Sequence, residues 1–104
     1  TMEQFLIEFK RGTLTMAVLS QLKTPQYGYS LLEKLQSYNY PVESGTLYPL
    51  LRRLEKQGLC VSEWDTTESR PRKYYVLSPL GTETLQSLIQ EWLEQTTILK
   101  EMIL

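Results

Sequence analysis

The chain has 104 residues, 41% of them hydrophobic and 22% charged, with a formal net charge of −1, which suits one compact domain with small appendages and excludes a disordered chain. Histidine is absent and the single cysteine, Cys60, has no internal disulfide partner, so the usual metal-ligand sets and acid–base pairs cannot form; no metal or other cofactor is expected, and an enzyme is disfavoured. No apolar run approaches the roughly 18 residues that cross a bilayer and no signal peptide is visible, so a cytoplasmic protein without a membrane partner is expected.

Thr1, standing before Met2, is expected to be foreign to the functional chain. Phe5, Leu6, Ile7 and Phe9 make the N-terminal arm too apolar for a free tail, so it should pack on something, a second subunit being one option. Thr13 to Leu22 is apolar on several helical faces and predicts a helix covered nearly all round. Thr24-Pro25-Gln26 interrupts it; Gly28 to Tyr38, with Leu31, Leu32 and Leu35, predicts a short second helix, followed by a turn at Asn39-Tyr40-Pro41.

Ser44 is the expected N-cap of a third helix whose Leu47, Leu50, Leu51 and Leu54 form one narrow stripe and which Gly58 ends. Pro49, early in that helix, predicts an irregular first turn. Leu59–Trp64 and Arg72–Leu77 are rich in β-branched and aromatic residues and flank the polar stretch Asp65–Pro71, which reads as a hairpin. Ser78-Pro79 then starts a helix with no break to Leu104, roughly 39 Å at about 1.5 Å per residue. Leu85, Leu88, Ile89, Trp92, Leu93, Leu99 and Ile103 share one side of it, and the sevenfold spacing of Leu85, Trp92 and Leu99 suits a seam between two helices, hence a homodimer.

Charge is unevenly spread: Arg52, Arg53, Lys56, Arg70, Arg72 and Lys73 lie in the middle, whereas the last helix has Lys100 alone among four glutamates. At about 100° per residue, the third helix turns its leucines inward and Gly45, Thr46, Tyr48, Pro49, Arg52, Arg53 and Lys56 outward. A small or flat start followed by long cations is what a recognition helix needs when its first turn enters the major groove and later turns reach phosphates. An ordinary solvated face is the competing account, as is, for Arg70, Arg72 and Lys73 on the hairpin, a guard against edge-to-edge aggregation.

The segments Tyr27-Gly28-Tyr29, ESGTLYPLLRRLEKQGL (Glu43–Leu59), Glu63-Trp64 and PRKYYVLSPLG (Pro71–Gly81) resemble, in order and spacing from about Arg11 to Gly81, the PadR family of transcriptional regulators. The resemblance implies a mainly α fold with a small β-hairpin: a winged helix-turn-helix over residues 2–78, including the arm, and a C-terminal dimerisation helix over 79–104, as in the short branch of the family. It further implies a ligand-responsive homodimeric repressor on an inverted-repeat, double-stranded operator. Carried over residue by residue, the DNA contacts are Tyr29, Ser44, Thr46, Tyr48, Arg52, Arg72 and Lys73, to which the outward arc adds Arg53 and Lys56 and the hairpin Arg70. The wing departs from its often glycine-rich relatives in reading Glu68-Ser69-Arg70-Pro71.

Trp92 admits two readings: a core aromatic at the dimer seam, or, by similarity to multidrug-sensing members, the wall of a pocket for a small flat aromatic effector, with Phe5, Phe9 and Leu93 beside it. Cys60, in a predicted strand, is expected to be a buried, inert thiol. The alternative to a DNA-binding regulator is a winged-helix module that binds another protein.

Overall fold

A computed structural model describes residues 1–104, and its elements run α1 (Met2–Ser20), β1 (Gln26–Tyr27), α2 (Gly28–Ser37), α3 (Ser44–Lys56), β2 (Cys60–Asp65), β3 (Arg72–Leu77) and α4 (Pro79–Ile103). The fold is mainly helical with a small antiparallel sheet in the order β1-β3-β2.

The expected arm is no separate segment. Met2 to Ser20 is one helix, closed at its start by a capping box in which Thr1 and Gln4 bond reciprocally. Only its last turns enter the core, through Val18 and Leu19, with Leu22 just beyond; Phe5, Leu6, Ile7 and Phe9 stay exposed.

Helices α2 and α3 end alike. Tyr40 N–H donates to the Leu35 carbonyl (3.0 Å) across Asn39 at φ 60°, and Leu59 N–H donates to Leu54 (2.9 Å) across Gly58 at φ 81°. Both are Schellman closures, for which glycine and asparagine best tolerate the left-handed residue.

Pairing in β2–β3 places Cys60 opposite Leu77, Ser62 opposite Tyr75 and Trp64 opposite Lys73. The third strand, β1, was not expected: Gln26 and Tyr27 pair with Tyr75 and Tyr74, too short a run for any alternation to register.

Leucines from α1, α2 and α3 build one core with Cys60, Tyr75 and Leu85. Leu85 thus corrects its assignment to the dimer seam, because within a single chain it is only 2% exposed. Leu88 also packs against the core, so the core runs past residue 78 into the first turns of α4. The start of α4 is pinned there: Ser78 Oγ accepts from Gly81 N–H (3.0 Å), Ser78 N–H donates to the Leu59 carbonyl (3.1 Å), and a Cβ on Gly81 would lie 1.8 Å from that same carbonyl oxygen. Beyond Leu88, α4 projects alongside α1, giving extents of 54 × 32 × 23 Å. No helix is long and apolar enough to cross a membrane.

Candidate nucleic-acid interface

Helix α3 lies with Leu47, Leu50, Leu51 and Leu54 in the core, so the 3.6-residue period puts Gly45, Thr46, Tyr48, Pro49, Arg52, Arg53 and Lys56 on the open side. Ser44 is not the cap. The extended residue is Glu43 (φ −76°, ψ 147°), whose carbonyl accepts from both Thr46 and Leu47 N–H at 3.0 Å, so the first turn closes one residue earlier than expected. Such doubled acceptance is common at helix starts and does not come from Pro49, through which the helix continues. No side chain caps this end, and the amides of Ser44 and Gly45 are left unbonded beside the exposed Ser44 hydroxyl.

Arg52, Arg53 and Lys56 are exposed and form no ion pair. Tyr29, on the first turn of α2, is also exposed. Tyr48 is more constrained, since its ring covers Gly28, where a Cβ would come 2.1 Å from Cε1; glycine at the start of α2 lets α3 approach.

The wing is less free than its composition suggests. Arg70, in the β2–β3 loop, has no ion-pair partner, but Arg72 lies over the Tyr27 ring (Cζ 4.2 Å from its centroid) and within 3.7 Å of Glu68. Tyr27 donates its hydroxyl to Asp65 (2.7 Å), which also accepts from the Thr67 hydroxyl (2.7 Å) and amide (3.1 Å). The Thr67 hydroxyl above all, then Tyr27 and the Thr67 amide, hold the Asp65 carboxyl down at about 2. The bond to Asp65 raises the Tyr27 phenol. Tyr74 packs, edge to face with Tyr27 and bonded to Glu63.

Lys73 is paired as well. Its Nζ lies 3.2 Å from Glu55 of α3, and Ser62 donates to the other oxygen of that carboxylate. The Ser62 bond chiefly lowers the Glu55 carboxyl against the opposing effect of burial, with Lys73 adding to it. For Lys73, burial acts to lower its pKa, but the bond to Glu55, with the neighbouring Tyr75 adding to it, prevails and raises it. Glu55 was not among the residues expected from sequence: Arg52, three residues earlier, carries the visible charge, and only the β2–β3 register reveals what Glu55 meets.

Cys60 is buried, and burial first, then Glu55, pushes its thiol up to about 11, so it stays protonated.

Between α1 and α4 lies a cleft of about 530 Å³, walled by Met16, Thr84, Leu88, Glu91, Trp92 and Gln95. Trp92 is half exposed there, whereas Phe5, Phe9 and Leu93 lie outside the cleft; Ile89 and Leu99 are exposed on the same helix.

The profile of the Transcriptional regulator PadR-like family matches residues 16–87. A transcriptional regulator of Mycobacterium tuberculosis is 37% identical over 79 residues, covering 75% of this chain and 74% of that protein. A PadR family transcriptional regulator from Eggerthella lenta superposes with a TM-score of 0.92 at 43% identity, covering 98% of this chain and 91% of the other. Bacillus subtilis PadR, solved in complex with operator DNA, shares the fold with a TM-score of 0.67 at 21% identity, over 74% of this chain and 46% of its own.

Proposed function

The chain belongs to the transcriptional regulator PadR-like family, a family of regulators and not of enzymes, and from that premise we propose that it is a homodimeric repressor that reads an inverted-repeat operator with α3. The observation that carries this reading is the open face of α3: an uncapped first turn with no bulky side chain before Tyr48, then three unpaired cations. Free amides and the helix dipole favour a phosphate at that end, Thr46 and Tyr48 have the reach to meet base edges, and Arg52, Arg53 and Lys56 serve the flanking backbone. Tyr29, Ser44 and the wing's Arg70, Arg72 and Lys73 are assigned to the same surface. The operator complex of Bacillus subtilis PadR shows that this fold can be used on DNA.

In this reading residues 2–78 form the DNA-reading unit and 79–104 the dimerising helix, whose first turns also complete the core. Exposed Phe5, Phe9, Ile89, Trp92, Leu93 and Leu99 make an apolar surface of the kind a second copy covers. Two-fold symmetry then sets two recognition helices about 34 Å apart, one turn of duplex. A small flat aromatic effector would enter beside Trp92 and shift the population between spacings that fit the operator and spacings that do not; Trp92 fluorescence unmoved by saturating dye-like aromatics would remove this element.

The test is a fluorescence-anisotropy titration with the DNA upstream of the protein's own gene and with unrelated DNA, each at two salt concentrations. Tight, salt-sensitive preference for the upstream DNA is expected. Weak, equal binding to both would turn the reading toward an operator elsewhere or a protein partner.

A further inference from the structure

Among the cations assigned to DNA, Lys73 differs from those of α3 in having its charge already answered. Ser62 sits opposite Tyr75 and Trp64 opposite Lys73, so the side chains that reach Glu55 leave the same face of the hairpin, the one that also buries Cys60 against α3. Glu55 accepts from Ser62 with one oxygen and from Lys73, at 3.2 Å, with the other, while the Lys73 ammonium stands 5.2 Å from the Tyr75 ring centroid. The pair is a clasp between the recognition helix and the wing. It is not sealed: the side chains of Lys73 and Glu55 keep 30% and 34% of their exposure, so a phosphate that approaches the ammonium also approaches the carboxylate.

We propose that Glu55 is a positioning residue that withholds Lys73 from DNA, so that the wing's phosphate contact forms only at the expense of the clasp. This rests on the DNA-binding reading above. A phosphate and a carboxylate compete for one ammonium, and like charges repel whenever the DNA tries to share it. The wing therefore adds less non-specific attraction than its three cations suggest, and binding leans on α3, where the bases are read.

Glu55→Gln tests this, because the amide oxygen still accepts from Ser62 while the negative charge is gone. Binding to the upstream DNA should tighten about three- to tenfold, and the slope of log K against log salt should steepen by about 0.9, the amount for one added phosphate contact. In the wild-type background Lys73→Ala should leave the slope nearly unchanged, and Glu55→Gln added to Lys73→Ala should leave it unchanged again. Glu55→Ala, which also drops the Ser62 bond, should steepen the slope in the same way. An NMR signal of the Lys73 ammonium, ordered in the free wild type and mobile in Glu55→Gln, checks the clasp without DNA. A slope unmoved by both Glu55 variants, or a gain that survives loss of Lys73, overturns the proposal while wild-type binding leaves the DNA reading intact. A wild type with no salt-sensitive binding overturns both.

Discussion

The winged-helix body and the projecting ends of α1 and α4 use the same residue types to opposite effect. In the body, leucines from three helices meet, the sheet closes over them, and no buried side-chain polar atom lacks a partner. Along the projecting ends, Phe5 is 73% exposed and Trp92 49%, with Ile7, Ile89, Leu93 and Leu99 open beside them. Apolar area left in water is a cost of roughly 25 cal/mol per Å², so the body has already hidden its leucines within one chain while the ends gain by being covered. In the homodimer proposed above, the body's stability would be a property of one chain, and that of the ends a property of concentration.

The hardest way to break the comparison is at the joint between the two regions. A Cβ at Gly81 would sit 1.8 Å from the Leu59 carbonyl oxygen, which is backbone and cannot swing aside, so Gly81→Val should cost about 3 kcal/mol or more and detach α4 from the body. A melt followed by circular dichroism checks this, and a transition within a few degrees of wild type would show that α4 is not pinned there. Gly28→Ala is the milder counterpart, since the obstacle is the Tyr48 ring, a side chain with somewhere to go.

Leu85 and Leu99, two heptads apart on α4, sharpen it further. Leu85→Ala should lose about 2–5 kcal/mol at any protein concentration, as core truncations do. Leu99→Glu should leave the melting of the dilute protein almost alone but abolish the dependence of melting on concentration and halve the mass in sedimentation. If both variants behave alike, the division between body and ends fails.

That pair also marks how far the sequence could be read. Period 3.6 in α3 and α4 showed which residues share a face, and the Ser78-Pro79 start and the Gly58 stop stand where expected. Period does not say what a face meets: Leu85, Trp92 and Leu99 repeat identically, yet one lies in the core and two outside it. The cap at Glu43 instead of Ser44 was hidden for a related reason, because residue type favoured the serine while the backbone leaves Glu43 as the extended residue. Tyr27 and Glu55 were invisible as wing supports, since their partners lie 7 to 38 residues away and depend on how the hairpin packs, whereas Asp65 also has the local partner Thr67, two residues on, which sequence reading missed.

On the DNA side the body offers a smaller effect. Arg52→Ala removes an unpaired, exposed cation, so the fold should be unaffected while the salt slope falls by about 0.9 and affinity drops several-fold. Anisotropy at several salt concentrations reads both, and an unchanged slope would take Arg52 out of the phosphate contacts.

The smallest effect asks whether the wing tip belongs with the body at all. Tyr27 and Thr67 hold the Asp65 carboxyl at about 2, below the roughly 3.9 of an unfolded chain. A depressed carboxyl stabilises its charged form, so its contribution is fully present above about pH 4 and is lost as pH falls from there through 2. The group is only partly buried, at the edge of the sheet, so its bonds are partly screened and the loss should be local and not a global unfolding. NMR signals of Tyr27, Thr67 and Trp64 should loosen across that window while those of Leu51 and Leu85 hold. Glu55 is depressed too, through Ser62 and Lys73, and its clasp weakens in acid as well; Asp65→Asn separates the two. With a single acceptor oxygen that variant keeps the bonds of either Thr67 or Tyr27 and cannot titrate, so the Tyr27 and Thr67 signals should become flat with pH while Ser62 still responds. Tip and core signals moving together in the wild type, with no change in Asp65→Asn, would make the wing tip an inseparable part of the body.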